Sequence, residues 1–555
     1  MRSDYTGYIT SAEWRWVIIV GSVFVTLAFV PFLWALVAVG TSEGEWEFMG
    51  ALHGYRDTST DLMRITQGAE GQWVTQYLHT PESHDGTLAG IFYTSLGHVA
   101  RVTSLSPMVI YHIVRIGVSL FMYLSFYQLA ANIWMRIRPR RVFFVMLSVG
   151  SGFGWILSPL TGDTSFIDLT TPGAFPFAST LVNIHFPLAM ACLALIADVI
   201  IVMFRPGMTE NPTVQNGGAV VFLLSMILIF VYPPAIIPFA LAFAACLLIY
   251  WYSRREIDKA QLYWFMWFGV PALPMVLYYA AVMQYNPLVA EIWSQQSLSP
   301  RPSLIVLLLS FGLPLWIAMP GIYRAVRRFE PDGDRLMLVW MIVIVISIYS
   351  PTHIQQDFAF AIMIPIIYFA TRSVEDFWFD LVRRRKRQIQ IFVALIPLLA
   401  AGNFFVASLP LYPIVDGDFD EAPWLVLQHD YIRAFNWLES NADSGDVILA
   451  APDVSLWIPA RTGKQVVYGH PQQTANAIKK ELVVLGWYAE TEPGDCYALL
   501  QGEYRFEGDY TVKYIVFGPH ERKIGESVCI DLLMPVRSFG DVQIFSYDVD
   551  SSADR

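Results

Sequence analysis

Charge is scarce in this sequence. Only 15% of its 555 residues are Asp, Glu, Lys or Arg, while 55% are hydrophobic. That balance excludes an ordinary soluble protein and implies a polytopic membrane protein. Cysteine is scarce too: the four Cys residues form no CxxC pair, and no His-rich spacing of the zinc type appears. Internal repeats and low-complexity segments are missing. No cleavage-site pattern follows the first apolar run, 17–39, so it reads as a retained helix rather than a removed signal. A basic excess is also lacking, because the net charge is −11. From residue 411 onward there are 23 acids and 11 bases, a net of −12, so the first 410 residues carry +1. An acidic tail excludes nucleic acid as its partner.

What the chain has instead is long apolar runs. They fall at 15–39, 108–134, 142–160, 185–204, 218–233, 235–252, 262–283, 303–321, 335–350, 357–371 and 389–409. Pro233 and Pro234 divide the fifth from the sixth. Basic clusters follow the even-numbered runs: Arg136 to Arg141, Arg254 to Lys259, Arg324 to Arg328, and Arg383 to Arg387. Lys and Arg concentrate in cytoplasmic loops, so the N-terminus reads as cytoplasmic and the tail as outside. The expected fold is a polytopic α-helical membrane protein of about eleven transmembrane helices with a C-terminal extracytoplasmic α/β domain. Residues 1–410 form the membrane part, with a large first outer loop at 41–107, and 411–555 form the soluble domain. Short β-rich runs at 446–452, 465–470, 512–519 and 542–548 alternate there with helical patterns at 430–442 and near 474–489. An outward tail would permit Cys496 and Cys529 to pair, whereas Cys192 and Cys246 lie in apolar runs and read as buried hydrophobes.

The spans themselves hold few ionisable residues, Arg115 and Asp198 being the visible exceptions. The polar chemistry lies in the outer segments. The first of these opens on "HGYRDTSTDLMR", residues 53–64, and continues to the dense cluster His79, Glu82, His84 and Asp85. Two stretches of this loop, 61–78 and 87–103, have the look of short amphipathic segments that lie on a membrane surface. Later outer segments carry His185, His353, Gln356 and Asp357. A transporter or flippase of a lipid-linked substrate would place polar groups deeper in the bundle and often repeat its halves. That reading, and a non-catalytic membrane assembly protein, are the alternatives to an enzyme.

The first outer loop runs Asp57, "QGAEGQW", "YLHTPESHDG", "FYTSLGHVARVTSLSPMVIYHIVR". This pattern resembles that of a group of bacterial integral-membrane proteins similar to the C-type (GT-C) membrane glycosyltransferases. "FPFASTLVNIHFPLA", "NWLE", "GDVILAAPDVSLWIPARTGKQVVYGHPQQT" and "IVFGPHERKIGE" extend the resemblance over most of the chain. It implies a cell-envelope enzyme of the plasma membrane. Such an enzyme takes a sugar from a polyprenyl-phosphate donor and delivers it, at the outer face, to a glycan, lipid or protein acceptor. It also implies that an acid in the first outer loop is the catalytic base or stands beside a divalent metal. Asp57 matches by position. The usual paired acids are replaced here by Arg56–Asp57, and the next acid is Asp61, one helical turn on.

Chemistry supports that placement: a carboxylate at a membrane boundary loses hydration and gains basicity. Arg115 lies about two turns into its run, where charge costs about 2–3 kcal/mol, a cost that a lipid phosphate would offset. His112, three residues before it, shares its helical face. His79, Glu82 and His84 could bind a pyrophosphate or a divalent metal. His185, His353, Gln356 and Asp357 are further candidate substrate contacts. The alternation of basic loops makes a direct prediction. A reporter fused after Arg555 that functions only in the cytoplasm will be silent, and a periplasmic one active; the reverse pattern refutes the outward tail.

Overall fold

The computed structural model describes residues 8–42, 45–204, 217–257, 259–295, 301–330, 333–352, 354–382, 384–491, 496–502 and 510–547. The chain divides into two compact units. One comprises residues 1–30, 113–279 and 297–409; the other comprises 31–112, 280–296 and 410–555.

The first unit is helical. Along the chain, every one of the eleven apolar runs is helical over most of its length. Among the described residues, seven helices are long and apolar enough to cross a membrane, or nine if each of two bent pairs is one span. The other two runs form 15-residue helices, Gly217–Val231 and Asp334–Ile348. At 1.5 Å per residue each reaches only ~22 Å, short of a ~30 Å hydrocarbon core. Of the eleven expected spans, seven to nine meet the length and composition of a span among the described residues.

One bent pair turns by 97° between Leu304–Ser310 and Gly312–Arg328. Gly312 has φ +52°, and a Cβ there would stand 2.7 Å from the Ser151 carbonyl oxygen, so only glycine fits the corner. Several buried polar groups inside this unit are paired, which offsets the cost of their burial. The Asn132 amide donates to both carboxylate oxygens of Asp198 at 2.7 Å. Arg140 meets Glu13 at 3.1 Å, and Tyr368 donates to Asp334 at 2.5 Å. Cys192 is buried and Cys246 half-buried, both as free thiols.

The second unit joins the loop that follows the first apolar run to the tail. A five-stranded sheet has the order β4-β3-β5-β7-β6. Its strands are β3 (Val447–Leu449), β4 (Gln465–Val466), β5 (Val512–Phe517), β6 (Met534–Phe539) and β7 (Val542–Ser546). β3 runs parallel to β4 and β5, while β7 is antiparallel to β5 and β6. Leu449, Val512, Ile515, Val484 and Tyr488 build the core, and Cys496 and Cys529 are joined beside it as a disulfide. The segment "GPHERKIG" is structural: buried Glu521 accepts from the Ala451 and Gly518 amides and from the Tyr431 hydroxyl. β1 (Trp46–Phe48), from the loop, pairs antiparallel with β2 (Val426–Gln428), from the tail. The Val466 amide donates to the Leu78 carbonyl at 3.0 Å, which makes a second backbone stitch.

In the loop, the helices Tyr55–Ala69 and Ile91–Thr103 pack on each other through glycine. A Cβ on Gly68 would lie 2.1 Å from the Thr94 carbonyl oxygen, and one on Gly97 2.1 Å from that of Ile65. The crossing is thus backbone on backbone. Gly97→Ala will lower the stability of this unit by on the order of 1–3 kcal/mol, since neither backbone can yield cheaply. Gly486→Ala, where a Cβ meets nothing within 4 Å, is the control and will be neutral or slightly stabilising. Thermal unfolding of both variants in the same detergent checks this; equal melting temperatures would refute the tight crossing.

Candidate active site

"HGYRDTSTDLMR" begins with a left-handed Gly54 (φ 57°) that turns the chain into the Tyr55–Ala69 helix. Asp57 falls in the first turn, where unpaired amides favour an anion. The next turn changes character: Thr58, Ser59, Thr60 and Asp61 are buried. The two acids share a helical face but not an environment. Asp57 is reached by solvent, yet the surrounding protein displaces enough water to raise its carboxyl above the usual range, with Arg64 and Arg56 opposing. Asp61 is 3% exposed. Burial pushes its carboxyl up to about 8, against Arg64 and a hydrogen bond with Tyr93. The Arg64 guanidinium stands 3.6 Å from it.

The cluster His79, Glu82, His84 and Asp85 does not converge on one point. His79 is fully buried and its Nε2–H donates to the Leu456 carbonyl at 3.2 Å. Burial lowers it to about 4. Glu82 pairs with the fully buried ammonium of Lys480, which also donates to Thr80 Oγ1 at 3.2 Å. His84 folds onto its own loop, accepting from the Tyr77 amide and donating to the Glu82 carbonyl, both at 2.9 Å. Asp85 is exposed, and its carbonyl accepts from Asn286. Among the described residues, no group of three or more His, Cys, Asp or Glu is placed to hold a metal ion.

The structure adds residues around Asp57 that sequence reasoning missed. Tyr55 stacks on Trp424 at 6.2 Å, and Arg56 lies over the Tyr55 ring at 5.6 Å. Arg56 is also within electrostatic reach of Asp453, Tyr468 and His470. Asp453 follows β3, and Tyr468 and His470 follow β4, so all three sit beyond the carboxyl ends of parallel strands. That is where open α/β sheets bind ligands. Desolvation raises the Asp453 carboxyl, with Arg56 opposing and Glu481 adding to the rise. The Tyr468 hydroxyl hydrogen-bonds Glu481. His470 is 2% exposed, its Nδ1 accepts from the Gln472 amide, and its Nε2 is buried with no hydrogen-bond partner. The strand–Asp and strand–Tyr–Gly–His order of "VILAAPDVS" and "VVYGH" was the readable signal.

The remaining expected residues lie elsewhere. His112 donates to the Gly50 carbonyl at 3.1 Å and packs on Phe32 at 4.3 Å. In the helical unit, Arg115 is 3% exposed, donates to the Leu181 carbonyl at 3.2 Å and sits 4.1 Å from the Phe29 ring. His185 opens its helix, contacts Asn183 at 3.3 Å and stacks on Tyr232. Gln356 and Asp357 begin a single 3-10 turn. His353 is outside the described residues.

No protein-family model matches the chain, and no curated protein sequence matches it. Solved structures do. The oligosaccharyltransferase AglB from Archaeoglobus fulgidus, in complex with an inhibitory peptide and a dolichol-phosphate, aligns over 92% of this chain and 70% of its own. Its identity is 12% and its TM-score 0.52. The Archaeoglobus fulgidus oligosaccharyltransferase in complex with Zn and sulfate aligns over 90% and 68%, at 11% identity and TM-score 0.50. ArnT from Cupriavidus metallidurans, bound to undecaprenyl phosphate, aligns over 97% and 99%, at 13% identity and TM-score 0.49. These likenesses show the fold: the chain has the architecture of the Archaeoglobus fulgidus oligosaccharyltransferase, and among its described residues seven helices, or nine with each bent pair as one span, are long and apolar enough to cross a membrane.

The contrast between the two acids is measurable without substrate. An unfolded Asp61 ionises near pH 3.9, whereas the folded one holds its proton to about pH 8. The unfolded state therefore releases a proton first, and folding loses stability as pH rises between these values. Asp61→Asn, which mimics the protonated acid, will raise the melting temperature at pH 8 relative to wild type and leave it unchanged near pH 4. A pH-independent difference would show that Asp61 is not held neutral.

Proposed function

We propose that this chain is a membrane glycosyltransferase that takes a sugar from a polyprenyl-phosphate carrier and transfers it to a hydroxyl-bearing acceptor, with Asp57 as general base. The observation that carries this reading is the position of Asp57. Its carboxylate is solvent-reachable at the first turn of the Tyr55–Ala69 helix, yet desolvated enough to raise its proton affinity. A base works best when its pKa approaches the working pH. Asp61, one turn inward, holds its proton at neutral pH and takes the supporting role, keeping Arg64 and Tyr93 in place.

The step balances simply. Asp57 accepts the acceptor's hydroxyl proton as that oxygen attacks the anomeric carbon. The bond from that carbon to the carrier's phosphate oxygen breaks, and the phosphate leaves on the lipid. The proton then passes from Asp57 to water. The Tyr55–Trp424 rings offer a face for a sugar, and Arg56, Asp453 and Glu481 offer hydrogen bonds to its hydroxyls. Arg115 is assigned to the donor's phosphate, as a guanidinium can grip it with two donors. The AglB complex contains a dolichol-phosphate and a peptide, which fits a lipid donor and an acceptor of this kind. The disulfide Cys496–Cys529 fits a tail outside the cytoplasm.

Loss of a positioned base typically costs ~10²- to 10⁴-fold in rate. Asp57→Asn will lose at least ~10²-fold in turnover, a barrier rise of about 2.7 kcal/mol, while still binding carrier lipid. Asp61→Asn will lose far less. The assay follows transfer from a radiolabelled polyprenyl-phosphate sugar in liposomes, with folding checked by thermal shift. Full activity in both single variants and in the double variant would falsify the mechanism.

A further inference from the structure

The helical unit holds a second polar site that the proposed reaction does not use. A pocket of about 460 Å³ opens among Trp16, Arg138, Arg141, Val142, Phe379 and Arg385. Its volume falls within the roughly 300–1,000 Å³ typical of small-ligand sites. The lining comes from the ends of four candidate spans. Trp16 lies near the start of Ser11–Gly40, and Arg138, Arg141 and Val142 near the start of Ile137–Thr161. Phe379 ends Asp357–Leu381, and Arg385 begins Arg385–Asp416. Helix ends that meet in this way mark one boundary of the apolar bundle.

The charges are unbalanced. Arg138 donates through Nε to Glu375 at 2.9 Å and through a terminal nitrogen to Gln388 at 3.3 Å, so its charge is met. Arg141 has no acid. Its guanidinium carbon lies 4.6 Å from the Trp16 ring centroid, and its Nε is buried without a hydrogen-bond partner. Arg385 is exposed, and among the described residues no acid pairs with it. Two surplus guanidiniums therefore face one pocket. Val142, Val145, Ile389 and Phe392 make the rest of its wall apolar. A ligand that satisfies both features carries a phosphate and a hydrocarbon chain. Basic pockets between span ends bind such headgroups.

We propose that this pocket binds the phosphodiester headgroup of an anionic phospholipid, with Arg141 and Arg385 gripping the phosphate and the apolar wall taking the upper acyl chain. Arg gives a phosphate two parallel donors, and Trp16 holds the Arg141 plane in place from one side. The site is independent of Asp57 and of sugar transfer.

Native mass spectrometry of the full chain, released from detergent with added phosphatidylglycerol, tests this. Phosphatidylcholine with the same acyl chains and inorganic phosphate are the parallel probes. The double variant Arg141→Ala/Arg385→Ala will bind phosphatidylglycerol at least about tenfold more weakly than wild type. The charge-matched variant Arg255→Ala/Lys259→Ala will bind it as wild type does, and both will melt as wild type does in phosphatidylcholine. Unchanged phosphatidylglycerol binding in the first double variant overturns the proposal, as does an equal loss in the control. Phosphatidylcholine binding as tight as phosphatidylglycerol removes the anionic headgroup. Competition by inorganic phosphate at equal concentration removes the lipid and leaves a free-anion site.

Discussion

The buried ammonium of Lys480 is the constraint around which the loop-and-tail unit is organised. A fully buried Lys without a partner would lose its charge or destabilise the fold by several kcal/mol. Here Glu82 and Thr80 meet it, from a loop 398 residues earlier in the chain. The segment 78–84 must therefore lie on the Ala477–Tyr488 helix. Its backbone is fixed by the hydrogen bond from the Val466 amide to the Leu78 carbonyl, and by the Thr474 hydroxyl, which donates to the His79 carbonyl at 2.6 Å. From this anchor the chain doubles back through Gln67, whose side chain bonds Gln76 by both donor and acceptor at 2.9 Å. The Tyr55–Ala69 helix and its two acids are held by that clasp. Position at the candidate base is thus set by an ion pair that touches no reacting atom.

Hydropathy made the helices legible because burial in hydrocarbon and helix formation are one demand on a chain: every backbone polar group must be paired inside the segment. Length was harder to read. The runs at 218–233 and 335–350 look like spans, and the described part of each forms a fifteen-residue helix. The corner at Gly312 depends on a backbone contact from Ser151, which no local pattern encodes. In the tail, the strands ending in "VIL" and "VKYIVF" were readable from β-branched runs bounded by Gly and Pro. β1, β2 and β6 were not. β1 and β2 exist only because they pair with each other across the unit, and β6 is an exposed edge whose Pro535 weakens the signal.

At the site, spacing told part of the story. The i, i+4 relation of Asp57 and Asp61 correctly implied one helical face. It could not say that the first turn stays wet while the second is covered by Tyr93 and the neighbouring helix. The dense run His79, Glu82, His84, Asp85 was misleading for a related reason. Density along a chain says nothing about direction. His84 turned to its own backbone, Glu82 to Lys480 and His79 to the tail, so three side chains within six residues point to three different partners. Asp453 and Tyr468 came from short strand–loop segments, and Glu481 from the Ala477–Tyr488 helix; their relevance appears only once β3 and β4 lie side by side.

The two acids and the two arginines then form an uneven set with a simple electrostatic logic. Two ionised carboxylates one turn apart repel, and both would bind Arg64 more tightly than either alone. Burial resolves this by keeping Asp61 protonated, so Arg64 also lends its field to Asp57. Asp57, the more exposed of the pair, is left without a charged acid one turn away. It is tempered by Arg56 and Arg64 from one side and raised by lost hydration from the other. Were Asp61 ionised, its charge one turn away would push the Asp57 carboxyl further up. The buried neutral acid thus spares the exposed one a repulsive neighbour: burying Asp61 sets the field in which Asp57 sits.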